Sequence, residues 1–301
     1  MLVNRTGGSG GVARTLLDDL ERWSLTDRSP DARTLRAALL AWLREAQAAQ
    51  PSMALVHQFA ARALAIADTS VARGDVPEDL RRNLVASCDA EREDLARAIT
   101  DAAKVAAQLV PEREPWIATL SASEGVLAAM RELAKDGRKV RALVAESRPL
   151  YEGRETARAL VAAGIEPWLV TDAALSMLVS QASAVWIGAD AVTDVGVLNK
   201  AGSYTLALAA REHGVPVWSI ATRRKFLPAA TESLRIREMP PAEVWDAPAP
   251  GVRPRNVYFE MVPLALLRGV VVEDSVLGLT ECAVAAKDRE LPGELAAALP
   301  E

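Results

Sequence analysis

Residues 116–149 read WIATLSASEGVLAAMRELAKDGRKVRALVAESRP, and this stretch decides the fold. It opens on a short apolar run, 116–120, that ends in Ser121-Ala122-Ser123. A helical pattern fills 125–135, and a second apolar run, 140–145, ends in Glu146-Ser147-Arg148-Pro149. Strand, helix and strand in so short a span form a βαβ unit, the building block of a parallel sheet.

Outward from this unit the rhythm repeats. Apolar runs at 167–170, 184–187 and 215–220 alternate with helical patterns at 156–163, 173–181 and 201–212. The alternation predicts a mainly parallel sheet covered on both faces. Two later runs, 257–261 and 269–272, are expected to extend that sheet at its edge. Such sheets bind ligands beyond the carboxyl ends of their strands, where the strand order switches. The positions of interest therefore follow Leu120, Ala145, Val170, Ile187 and Ile220.

Towards the amino terminus the pattern changes. From residue 11 to 109 the apolar residues recur every three or four positions, as in Val12, Leu16, Leu17, Leu20 and then Leu35, Leu39, Leu40, Leu43. This is an amphipathic helical pattern. Its breaks fall at Ser29-Pro30, Gln50-Pro51 and Gly74-Asp75-Val76-Pro77. Four or five helices and no strand are expected. The predicted fold is thus α/β: a helical N-terminal domain, 1–110, followed by a Rossmann-like parallel-sheet domain, 111–301, with a ligand bound between them.

Bulk properties narrow the function. A net charge of −5 supplies no global positive field, so neither nucleic acid nor a membrane surface is an expected partner. The two cysteines, Cys88 and Cys282, have no CxxC spacing, and the two histidines, His57 and His213, form no cluster with them. A metal site, a cofactor and a disulfide framework are not expected, and a reducing cytoplasm fits. The start, MLVNRTGGSGG, lacks an apolar stretch of signal-peptide length. No run of about 18 apolar residues occurs.

Several segments carry chemistry. Gly188-Ala189-Asp190 puts a carboxylate at a strand end, where it can act on a ligand or simply cap the next helix. Asn199-Lys200-Ala201-Gly202-Ser203 is expected to open the helix 201–212, so that helix amides and Lys200 together form a phosphate cradle; its alternative is a surface cap. Arg223-Arg224-Lys225 offers three cations at the same end of the sheet, or else a solvated basic loop. In 146–154, Arg148 and Arg154 either bind ligand or pair with Glu146 and Glu152. Thr119–Gly125 is a strand-to-helix turn carrying two hydroxyls, Ser121 and Ser123, with no histidine spaced for a Ser-His-Asp triad. Gly7-Gly8-Ser9-Gly10-Gly11 precedes a helix but follows no strand, so composition alone reads it as a flexible tail. His57 reads as a satisfied helix histidine, and His213 closes a helix before Gly214.

Taken in order, these segments resemble a known family. Glu146-Ser147-Arg148-Pro149 with Gly153-Arg154, Asp172-Ala173-Ala174, Gly188-Ala189-Asp190-Ala191-Val192, Asn199-Lys200-Ala201-Gly202-Ser203 and Lys225-Phe226 are similar to the alpha, beta and delta subunits of initiation factor 2B. The same family includes methylthioribose-1-phosphate isomerase and ribose-1,5-bisphosphate isomerase. The tail from Asn256 to Pro263 and then Gly269 to Glu273 fits its C-terminal pattern. The likeness is specific from about residue 115 to 276 and colinear before that, through Gly8-Ser9-Gly10 and Gln50-Pro51-Ser52.

The resemblance implies a homodimer or higher assembly. In the isomerase members a cysteine and an aspartate convert an opened aldose 1-phosphate into a ketose. Asp190 takes the aspartate position, while Gly8, Ser9, Gly10, Ser123, Arg148, Asn199, Lys200 and Lys225 are the expected ligand contacts. The cysteine position holds Ser121, and two family arginines that hold phosphate fall at Gly7 and Gln50. A hydroxyl ionises far less readily than a thiol of pKa about 8.5.

Three readings follow from this pattern. The first is a binding protein for a phosphorylated ribose-type metabolite or nucleotide. The second is an active pentose-1-phosphate isomerase using Asp190 and Ser121. The third is a protein-interaction subunit.

Overall fold

Four helices build the amino-terminal layer of the computed structural model, which describes residues 8–297. They are α1 (Gly8–Thr26), α2 (Ala32–Ala49), α3 (Ala54–Arg73) and α4 (Pro77–Ala107). Each boundary has a local cause. Asp31 caps α2 by accepting the Thr34 amide at 2.8 Å. Gly74, at φ 73°, ends α3 in the left-handed conformation that glycine adopts without steric cost. Pro77 starts α4 where its missing amide proton would have had no helical partner, and Glu78 and Asp79 favour the same end. Val12, Leu16, Leu35, Leu39, Leu55, Leu64, Leu80 and Leu84 are buried among these helices.

Glycine-rich residues 8–11 are helical, not a tail, because α1 begins at Gly8. Gly7 lies outside the described residues.

Next in the chain come β1 (Trp116–Thr119), α5 (Glu124–Lys135), β2 (Arg141–Ala145), α6 (Glu152–Ala162), β3 (Glu166–Val170) and α7 (Asp172–Leu178). The chain continues through β4 (Ala184–Ile187), β5 (Ala191–Val192), β6 (Gly196–Lys200), α8 (Ser203–Glu212) and β7 (Val217–Ile220). It closes with β8 (Phe259–Pro263), β9 (Gly269–Val271), β10 (Val276–Leu277), α9 (Leu279–Lys287) and α10 (Gly293–Ala296). The main sheet runs in the order β10-β9-β7-β4-β1-β2-β3, and all neighbours pair in parallel except β10 with β9. It is Rossmann-like: the order reverses between β1 and β4, which opens a crevice beyond their carboxyl ends.

Both faces of this sheet are covered. Residues of α4, α5 and α6, among them Ala106, Ala129 and Leu160, pack on one face. Residues of α7, α8 and α9, among them Leu175, Leu206 and Cys282, pack on the other.

Two expectations need correction. The run 257–261 does not extend the main sheet; β8 pairs antiparallel with β6 in a separate sheet of order β5-β6-β8. Residues 199–200 do not open a helix but end β6, and α8 begins at Ser203. The pairing that decides this, Asn199 with Glu260 and Lys200 with Phe259, is far apart in sequence and outweighs the local helical pattern. The run 269–272 does join the main sheet, beside β7.

Candidate functional site

A cleft of about 810 Å³, including its open mouth, lies at the strand-order switch, between the helical layer and the carboxyl ends of β1, β4 and β7. It collects Gly8, Ser9 and Gly10 from α1, Ser121 and Ser123 after β1, Asp190 after β4, Asn199 and Lys200 from β6, and Lys225. Nine of the ten residues singled out in the sequence therefore line one cavity. The tenth, Arg148, does not line it. Its guanidinium donates to the Tyr151 hydroxyl (2.6 Å) and the Val244 carbonyl (2.9 Å).

Asp190 is held by its backbone. Its amide donates to the Leu198 carbonyl at 2.7 Å, and its own carbonyl accepts the Ala54 amide, at the start of α3, at 2.9 Å. Burial raises its carboxyl to a pKa of about 6, against the opposing pull of Lys225, Lys200 and Ser9. Lys225 lies beside it, and its ammonium donates to Ser9 Oγ (2.8 Å) and the Ala189 carbonyl (2.6 Å). Burial lowers the pKa of Lys225, and Asp190 partly offsets this. The ammonium carries three protons, so one remains for Asp190 or a ligand oxygen.

Around these groups the backbone approaches closely. A side chain at Gly188 would place Cβ 2.8 Å from Ser123 Oγ and 3.5 Å from Asn199 Oδ1, so glycine lets both residues reach the strand end. Gly8, at φ 61°, would put a Cβ 2.3 Å from the Ala122 carbonyl oxygen. The start of α1 thus lies directly against the turn that carries Ser121.

Ser121 itself is left-handed at φ 62°. Its amide donates to Ser147 Oγ (2.7 Å), and its carbonyl accepts from the Thr156 hydroxyl (2.7 Å). Ser123 caps α5, accepting the Val126 amide at 3.4 Å. Neither cysteine stands in for a thiol at this turn. Cys88 and Cys282 are buried outside the cleft, and burial pushes both thiols up to about 11.

The expected phosphate cradle is filled by protein. The Gly202 and Tyr204 amides, at the start of α8, both donate to Glu260 Oε1 at 2.7 Å. Lys200 is spoken for as well: its ammonium contacts the Glu152 carboxylate, with the two side chains only 4% and 5% exposed. The Tyr258 ring lies 4.7 Å from the same ammonium. Asn199 Nδ2 donates to Ser203 Oγ at 2.8 Å, leaving its carbonyl oxygen on the Gly188 side.

The basic cluster separates. Arg223 binds Asp274 at 2.6 Å, Arg224 binds Glu91 and Asp94 of α4, and only Lys225 reaches the cleft. Arg154 pairs with Glu146 at 3.1 Å. Gln50 lines a smaller neighbouring pocket with Arg237 and Tyr258. His57 is buried between Gln47 and the Pro51 carbonyl, and burial lowers it to about 4, which keeps it neutral.

Sequence reasoning missed Glu124, Glu152, Thr222 and Tyr258 as cleft residues. Glu152 and Thr222 also have a buried oxygen without a hydrogen-bond partner, Oε2 and Oγ1 respectively. Their position within otherwise readable segments was visible, but their orientation was not.

Known proteins share this architecture. A translation initiation factor eIF-2B subunit 2-like protein of Pyrococcus horikoshii is 31% identical over 245 residues, covering 81% of this chain and 82% of that protein. A ribose 1,5-bisphosphate isomerase of Haloferax volcanii is 28% identical over 275 residues, covering 88% and 83%. The crystal structure of a Pyrococcus horikoshii OT3 translation initiation factor eIF-2B superposes with a TM-score of 0.76 at 27% identity, covering 92% of this chain and 93% of that one. The model of the initiation factor 2 subunit family matches residues 5–278, and the chain belongs to that family.

Proposed function

We propose that this protein binds a phosphorylated ribose-type metabolite or nucleotide in the cleft at the strand-order switch. The observation that carries this reading is the buried group formed by Asp190, Lys225 and Ser9 opposite the Ser121 turn. Lys225 offers a proton to a ligand oxygen, Asp190 and Glu152 accept from sugar hydroxyls, and the Ser121 and Ser123 hydroxyls bond in either sense. Binding there needs no thiolate, which suits a turn where serine stands in the cysteine position. A hydrogen-bonding site of this kind distinguishes a sugar from an apolar isostere strongly, because an unpaired buried group costs about 1–3 kcal/mol.

A second reading is favoured by one specific property. A carboxyl that titrates at about 6 is matched to proton transfer near neutral pH. In an aldose-to-ketose conversion Asp190 would carry a proton between adjacent carbons or oxygens of the opened sugar. The Haloferax volcanii relative bears the name of such an isomerase.

One experiment separates the two. Thermal unfolding is followed with ribose 1-phosphate, ribose 1,5-bisphosphate, methylthioribose 1-phosphate, AMP and GMP, and each stabilising compound is assayed for ketose formation. Binding at 100 times Kd adds about 2.7 kcal/mol of stability. We expect stabilisation without product in the wild type, and product from S121C, whose thiol ionises far more readily than the serine hydroxyl. Product from the wild type selects the isomerase reading. No stabilisation by any compound rejects both and leaves a protein-interaction role.

A further inference from the structure

Thr222 follows β7 at the rim of the strand-order switch and is 2% exposed. It precedes a short 3₁₀ turn, 223–225, in the position where a threonine hydroxyl ordinarily accepts a helix amide. Here it does not. The Arg223 amide, next in the chain, donates to the Glu273 carboxylate, at 3.0 and 3.1 Å to its two oxygens. The Lys225 amide donates to the Thr222 main-chain carbonyl at 2.9 Å. The Thr222 hydroxyl therefore does not cap the turn and is buried without a protein hydrogen-bond partner, in a residue that lines the cleft.

Buried hydroxyls are nearly always satisfied, because leaving one unpaired is unfavourable. Valine has almost the same shape and would fill this position without that penalty. Apolar residues also line the cleft: Ile220 and Ala221 precede Thr222, and α4 contributes Leu95, Ile99 and Ala102. A polar group placed among such residues serves orientation and specificity, which is how small-molecule sites commonly use hydroxyls.

We infer that Thr222 is a specificity-determining ligand contact whose hydroxyl hydrogen-bonds an oxygen of the bound molecule. The assignment rests on the reading of the cleft as a site for a small phosphorylated ligand. The oxygen belongs either to the phosphoryl group or to a sugar hydroxyl, since the threonine hydroxyl can donate to the first and do either with the second. Lys225, three residues on, supplies the charge on the same side of the cleft, and Thr222 supplies direction.

The test compares wild type, T222V and T222S by thermal unfolding without ligand and by calorimetric titration with ribose 1-phosphate and with inorganic phosphate. Without ligand, T222V should melt no earlier than the wild type. With ribose 1-phosphate its Kd should rise about 10-fold, equivalent to about 1.4 kcal/mol, while T222S stays within about 3-fold. Weaker phosphate binding in T222V as well identifies a phosphoryl oxygen; unchanged phosphate binding identifies a sugar hydroxyl. Wild type and T222V binding ribose 1-phosphate equally tightly would overturn the assignment alone, as would early melting of T222V that T222S repairs. Wild type that binds none of the phosphorylated probes would overturn the reading of the cleft and this assignment together.

Discussion

The Ser121 amide donates to the Ser147 hydroxyl at 2.7 Å, so the turn after β1 is held by the loop after β2. Ser147 is itself fixed: its hydroxyl reaches the Ala145 carbonyl at 3.2 Å, and its amide donates to Asp172 Oδ1 at 2.7 Å. Both serines are left-handed, at φ 62° and 64°. Non-glycine residues pay roughly 1–2 kcal/mol for that conformation, so the surrounding bonds must keep them there. The aspartate at the start of α7 thereby shapes a turn in the cleft that it does not touch.

Removing the Ser147 hydroxyl leaves the Ser121 amide without its partner. S147A should lose about 1–2 kcal/mol of stability in urea denaturation. It should also weaken binding of ribose 1-phosphate, because Ser121 and Ser123 line the cleft beyond this contact. Unchanged stability and affinity together would show that the turn holds its shape without Ser147.

Asp190 predicts a pH signature with a definite sign. Its carboxyl titrates at about 6 in the fold, against an ordinary 3.8, because burial disfavours the charged form. Between those values the folded state keeps a proton that the unfolded state releases, so this group's contribution to stability falls as pH rises from 4 to 6 and is level above that. The gap corresponds to roughly 3 kcal/mol. D190N lacks it, so the stability of D190N relative to wild type should climb by that order between pH 4 and pH 7. Parallel stability profiles for the two proteins would contradict a raised carboxyl.

Lys200 and Glu152 should behave as a coupled pair. Either charge left alone in so buried a place costs about 3–5 kcal/mol, whereas an apolar pair of similar size is close to neutral. K200M should therefore destabilise strongly, and adding E152L should recover most of the loss. A double-mutant cycle in urea checks this, and simple additivity of the two losses would refute the coupling.

Much of the frame was legible in local pattern. The four amino-terminal helices and the alternating strands and helices from 116 to 187 follow from periodicity and from proline and glycine breaks. Asp190, Ser121 and Lys225 could be singled out because they fall after strand ends, whereas Gly8-Ser9-Gly10 is marked only by the family resemblance and reads locally as a tail. The structure brings them to one cavity. What failed was reading Asn199 and Lys200 as a helix opening: the segment is a strand because of β8, about 60 residues further on.

The sequence by itself determined the kind and order of the amino-terminal helices and of most main-sheet elements, and which strand ends would carry polar residues, since each depends on neighbours a few positions away. Only the tertiary structure decided which of those charges are free. Glu260 fills the amides that open α8, Glu152 neutralises Lys200, and Glu273 takes the Arg223 amide. Each partner lies about 50 residues from the group it satisfies, and a carboxylate's choice of partner is set by burial and distance, which local sequence does not encode.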